Sequence, residues 1–178
     1  MVKIAVIGSA GRQKVKLTFD QYNKMYNWLK KYLSLYKKDE IELISGGAAW
    51  SDHLSVRAYL DGFVGKLSLY LPCKWDFEKD QYMEKNNEGI MSNLYHKNFY
   101  KETGIKSCEE LTLCMLSGAT IDDASNGYFE RNRKVAKECD KLIAFTMSSS
   151  EYPAKGGTLY TWTCAANKER IHVSIGSL

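Results

Sequence analysis

Three glycine-bearing segments have the residue types to cradle an anion: Gly8-Ser9-Ala10-Gly11-Arg12, Gly46-Gly47 and Gly156-Gly157-Thr158. Glycine lets backbone approach a phosphate closely, and the free N–H groups at a helix N-terminus attract negative charge. A fourth segment supplies side chains. In Gly127-Tyr128-Phe129-Glu130-Arg131-Asn132-Arg133, the two arginines are permanent cations that fork onto phosphate or carboxylate. Residues two apart on a helix do not share a face, so one arginine at most meets a ligand. Arg131 is assigned that role and Arg133 a solvated face. Asn132 has the donors and acceptor to read a base or ribose edge. Asp52 either starts a helix or touches the ligand. Trp75, just after Pro72-Cys73-Lys74, is the expected stacking platform for a flat ring.

Several chemistries lose support. No GxxxxGK[ST] occurs, and Gly8-Ser9-Ala10-Gly11 lacks GxGxxG spacing, so neither a Walker loop nor the usual dinucleotide fingerprint is present. Ser9 is not in a GxSxG elbow. The three histidines have no Cys or His partner at zinc-ligand spacing, and His53 is read as a surface residue. Asp122-Asp123 could hold a divalent ion through oxygen ligands, but a solvated loop is the preferred reading. No metal and no cofactor is expected.

These residues need elements to position them. Ile4-Ala5-Val6-Ile7 reads as a strand buried on both faces, within Lys3 to Ile7. Thr18 and Gln21 have capping-box spacing, followed by Phe19, Tyr22, Tyr26, Leu29, Leu33 and Tyr36 on one face of a helix of about five turns. Strands are expected at Ile41 to Ile44, Lys66 to Leu71, Lys141 to Phe145 and Ile171 to Ser174. Helices are expected at Asp52 to Leu60, Tyr128 to Glu138 and Gly156 to about Asn167. The alternation predicts an α/β fold: a parallel sheet of at least five strands with helices on both faces. The glycine turns then share the carboxyl edge, where open sheets bind ligands. Lys74 to Asn126 interrupts the pattern. It is read as a partly helical insertion, with a second capping-box pattern at Ser107 and Glu110.

With 178 residues, the chain is expected to form a single domain over 1–178, carrying the insertion at about 74–126. The formal charge of +4 suits an anionic ligand without arguing for nucleic acid. No apolar run approaches the roughly 20 residues of a membrane helix. Five cysteines without a CxxC argue for a reducing, cytoplasmic compartment. Twelve Tyr, 6 Phe and 4 Trp are many for one core and point to a homo-oligomer, most simply a dimer.

In their order, Gly8-Ser9-Ala10-Gly11-Arg12, Ser45-Gly46-Gly47-Ala48 with Asp52, Arg131-Asn132 before Cys139-Asp140-Lys141-Leu142-Ile143-Ala144-Phe145, and Gly156-Gly157-Thr158 resemble the SLOG superfamily. That Rossmann-like group contains the Lonely-guy phosphoribohydrolases, the DNA-processing protein A fold and sensors of NAD-derived signals. The resemblance covers most of the chain outside 74–126. It implies binding of a nucleotide-derived anion, such as a mononucleotide, ADP-ribose or a cyclic NAD-derived signal, for sensing or sequestration. It also implies pairing of subunits. Lonely-guy proteins carry PGGxGTxxE, whose Glu serves glycosidic cleavage. If Gly157-Thr158 aligns with that Gly-Thr, the Glu position is Thr161, and a hydroxyl cannot replace a carboxylate there. An N-glycosidase would need a relocated carboxylate, such as Asp52 or Glu130. Single-stranded DNA binding is the third reading, opposed by the short chain and the mild charge.

Overall fold

The computed structural model describes residues 1–11 and 16–178. Its centre is strand β1 (Val2–Gly8), where Ile4, Ala5 and Val6 are wholly inaccessible. Side chains alternate across a strand, so these apolar residues feed two separate cores. Ile4 and Val6 join Leu43, Ile143 and Phe145 on one face, while Ala5 and Ile7 join Ile44, Leu142 and Ala144 on the other. Each such side chain contributes roughly 1.5–3 kcal/mol on burial. A continuous apolar run is therefore what this position requires.

β2 (Ile41–Ser45), β3 (Lys66–Tyr70) and β6 (Thr120–Asp122) extend the sheet on one side of β1; β7 (Lys141–Thr146) and β8 (Glu169–Ser174) extend it on the other. The order is β6-β3-β2-β1-β7-β8, and every pairing is parallel. The first face is covered by α1 (Phe19–Leu33), α2 (His53–Leu60), α4 (Ser107–Leu116) and the Phe99 end of α3 (Asn87–Thr103). Val135 and Ala136 of α5 (Tyr128–Glu138) pack on the second face, with Ala165 at the end of α6 (Gly156–Cys164). This is the expected α/β architecture, consistent with a Rossmann-like fold.

The capping box at α1 forms as its spacing predicts: the Gln21 N–H donates to the Thr18 hydroxyl at 3.2 Å and the Thr18 N–H to the Gln21 side chain at 3.0 Å. The second box does not form. Ser107 lies inside α4 and hydrogen-bonds His96, while Glu110 turns to Arg57. The insertion also holds more β structure than its composition suggests. A short hairpin of β4 (Trp75–Asp76) and β5 (Gln81–Tyr82) precedes α3, and β6 becomes an edge of the main sheet. Among the described residues, no helix is long and apolar enough to cross a membrane.

Candidate functional site

The chain runs from β1 outward through β2 and β3, then returns to β7 on the opposite side of β1. This reversal opens a crevice at the carboxyl ends of β1 and β7, the usual ligand position in open α/β sheets. A cavity of about 500 Å³ occupies it, lined by Gly8 to Gly11, Ala48, Asp52, Arg131, Asn132, Thr146 and Gly156 to Thr158, among others. That volume lies in the range of small-molecule sites, roughly 300–1,000 Å³.

Arg131 and Asp52 form the charged floor. α5 carries Arg131 inward, with 7% of its surface exposed, while Arg133 on the opposite face is exposed. Nη1 donates to the Gly46 carbonyl and lies 3.3 Å from Asp52 Oδ2. Glycine at 46 is required by this approach, because a Cβ there would overlap the guanidinium and sit 2.6 Å from Asp52 Oδ2. Arg131 Nε has no hydrogen-bond partner among the described residues. Asp52 stands at the start of α2 but makes no side-chain cap. Burial pushes its carboxyl up to about 6, against the opposing pull of Arg131 and the backbone N–H groups of Ala48, Gly46 and Gly8. Asp52 is the sole carboxylate among the described lining residues.

The third turn forms the N-terminus of α6. Lys155 precedes it in extended conformation, with no side-chain cap, so the first-turn N–H groups are left for another acceptor. A Cβ added at Gly156 would meet nothing within 4 Å. The Thr158 hydroxyl donates to the Gly8 carbonyl at 3.0 Å, tying α6 to β1, and the Asn132 amide lies 3.4 Å from the Gly157 carbonyl. Thr161, at the expected carboxylate position, lines the cavity, but its hydroxyl donates to the Gly157 carbonyl at 2.8 Å.

The insertion builds the remaining wall. Ser92, Tyr95 and His96 recur at three- and four-residue steps, so one face of α3 presents them to the cavity. His96 anchors this wall. Nε2 donates to the Gly47 carbonyl at 3.0 Å, and Nδ1 accepts from the Ser107 hydroxyl at 2.7 Å. The carbonyl fixes Nε2 as the donor, and burial lowers the pKa to about 3, which keeps the ring neutral. The Tyr82 hydroxyl donates to the same Gly47 carbonyl at 2.6 Å. Tyr128 donates to the Glu88 carbonyl at 3.0 Å and meets the Ser92 hydroxyl at 3.1 Å, so its ring is held against α3.

Of the residues expected at the site, Gly8, Ser9, Gly11, Asp52, Arg131, Asn132, Gly156, Gly157 and Thr158 line the cavity. Gly46 and Gly47 lie one layer behind, where their carbonyls hold Arg131 and His96. Arg12 lies outside the described residues. Trp75 is a correction. It is buried in the insertion, edge-on to Tyr82, with its indole N–H on the Thr112 hydroxyl at 3.1 Å. Tyr95, Tyr128 and Phe129 are the aromatic residues at the cavity instead. His53 is also corrected. It is fully buried, with Nδ1 2.9 Å from the Tyr22 hydroxyl and Nε2 3.1 Å from Glu110. Burial opposes ionisation of Glu110, yet His53 and Arg57 outweigh it and hold the carboxyl below its ordinary value. Asp122 and Asp123 pair with Lys134 and Lys74. Among the described residues, no group of three or more His, Cys, Asp or Glu side chains is placed to hold a metal ion.

No family model matches the chain, and no solved structure matches it. A protein of Acanthamoeba polyphaga mimivirus, named "Uncharacterized protein R261", is 33% identical over 180 residues, covering 98% of this chain and 96% of its own length. The chain belongs to the family of this mimivirus protein.

Proposed function

We propose that the protein binds a nucleotide-derived anion in the crevice at the ends of β1 and β7. The observation that carries this reading is the convergence of two donor sets on one cavity: the guanidinium of Arg131 and the first turn of α6, which has no side-chain cap. An anion there would meet both, and Tyr95, Tyr128 and Phe129 offer flat apolar surface to a base. The SLOG-like order of the motifs supports the same class of ligand. The binding serves sensing or sequestration in a reducing, cytoplasmic compartment, consistent with five free cysteines, and the protein acts as a dimer.

Calorimetry with AMP and ADP-ribose tests the reading. Arg131→Lys keeps a cation beside Asp52 but removes Nε and the planar fork. It should weaken binding by about tenfold, the equivalent of ~1.4 kcal/mol. Failure of both ligands to bind at millimolar concentration, or an unchanged affinity in Arg131→Lys, would remove the proposed site.

A second reading adds hydrolysis of the ligand's N-glycosidic bond, with Asp52 as the relocated carboxylate. It is favoured by the position of Asp52 on the cavity wall and its raised pKa, which suits proton transfer near neutrality. Glu130 fits less well, since its carboxylate accepts from the Asn126 N–H at 2.9 Å and lies near Lys134. Release of free base from AMP by the wild type, lost in Asp52→Asn, would establish this reading over simple binding.

A further inference from the structure

The cationic charge of Arg131 is already committed within the protein. Its Nη1 is shared between the Gly46 carbonyl and Asp52, and the pair is largely withdrawn from water, each side chain 9% exposed. An entering anion that pairs with the Arg131 guanidinium comes close to the negative charge of Asp52 with little solvent between them. One guanidinium cannot neutralise both. We propose that the site is proton-linked: as the anion enters, Asp52 takes one proton from solvent onto its carboxylate, which leaves the charge of Arg131 to the ligand. This rests on the anion-binding reading above and adds how that binding is regulated by pH.

The surroundings of Asp52 single it out as the acceptor. Among the described residues, the titratable or charged side chains facing this space from the elements around it are Arg131 and Tyr128 on α5, His96 and Tyr95 on α3, Tyr82 on β5 and Lys155 before α6. Arg131 is a permanent cation, and Lys155 is exposed. The neutral ring of His96 is locked between Gly47 and Ser107, and burial lowers its pKa to about 3. Tyr82 is held protonated by burial. Asp52 is the carboxylate on this wall, and burial already places it at about 6, within reach of neutral pH. An added negative charge roughly 7–10 Å away, at an effective dielectric constant of about 20, raises its proton affinity by roughly fifteen- to fiftyfold. Protonation on binding then follows across the neutral range.

The test measures ADP-ribose binding to the full chain by calorimetry from pH 6 to 8. The pyrophosphate of this probe keeps a constant charge there, so ligand titration does not intrude. Wild-type affinity should weaken by about tenfold over that range, because binding that takes up protons loses affinity as pH rises. Asp52→Asn should vary by less than about twofold, as no proton can be gained. Comparing two cationic buffers of different ionisation enthalpy at pH 7 should show uptake of about 0.3–1 proton by the wild type. That measurement needs no variant and stands even if Asp52→Asn folds poorly. Binding without proton uptake, or an equal pH dependence in Asp52→Asn, overturns the inference and leaves the ligand reading intact. Failure of ADP-ribose and AMP to bind at any pH overturns both.

Discussion

His96→Gln should change how the fold responds to acid, by an amount the structure sets. Neutral His96 is enclosed by the Gly47 carbonyl and the Ser107 hydroxyl, and its pKa falls from 6.5 to about 3. The folded value lies below the unfolded one, so the stabilisation is present above pH 6.5 and is lost as pH falls toward 3. Between pH 7 and pH 5 the loss is about 2 kcal/mol. Asp52 acts in the opposite sense. Its pKa rises from 3.8 to about 6, so its ionisation weakens the fold as pH climbs through that interval, and lowering pH from 7 to 5 returns about 1 kcal/mol. In the wild type the two largely offset. Glutamine at 96 keeps an amide donor for Gly47, does not titrate, and costs about 1 kcal/mol at pH 7 through the Ser107 contact. Urea unfolding at pH 7 and pH 5 measures the difference between these two losses, in which shared titrations cancel. His96→Gln should retain about 2 kcal/mol more than the wild type over this interval. Equal losses in the two proteins would mean that His96 is not held neutral by its surroundings, and the account of the α3 wall would fall.

Gly157→Asp adds negative charge at the start of α6, where the helix dipole favours it. Thermal stability should hold or rise slightly, whereas AMP binding should weaken by more than about tenfold; unchanged affinity by calorimetry would place the ligand elsewhere. Gly46→Ala should lower unfolding stability by about 3 kcal/mol or more, because the new Cβ overlaps the guanidinium that compensates buried Asp52; a near-neutral urea midpoint would contradict that geometry. Arg131→Ala should likewise destabilise by about 3 kcal/mol, since it strands Asp52 without its partner. Trp75→Phe should cost about 1–2 kcal/mol in stability through the lost bond to Thr112 and lost packing, with no change in AMP affinity; a large affinity loss would restore Trp75 to the site.

What the sequence determined by itself was local or periodic. Ile4-Ala5-Val6-Ile7 can satisfy all its apolar faces only in a strand covered on both sides, and the Thr18–Gln21 spacing closes a cap within one turn. Glycine turns after β1 and β2, and before α6, converge because parallel strands all point their carboxyl ends one way. That Arg131 and Arg133 do not both meet the site follows from helix geometry alone, and the packing of α5 decides that Arg131 is the one turned inward. Tertiary structure decided the pairings. Asp52 and Arg131 are 79 residues apart, and only the strand order brings them together over Gly46. Trp75 is adjacent in sequence to a ligand-edge loop, yet the β4–β5 hairpin turns it into the insertion, and Tyr95 of α3 with Tyr128 and Phe129 of α5 supplies the aromatic surface instead. The Ser92-Tyr95-His96 spacing was visible in the chain, but one helix face mixing polar and aromatic residues does not say what it covers. Burial of His53 likewise depends on Tyr22 and Glu110, contributed by two other helices. Spacing along a chain fixes which side chains share a face; which faces meet depends on the energies of long-range packing, and the carboxyl of Asp52 acquires its raised pKa only once that packing excludes water.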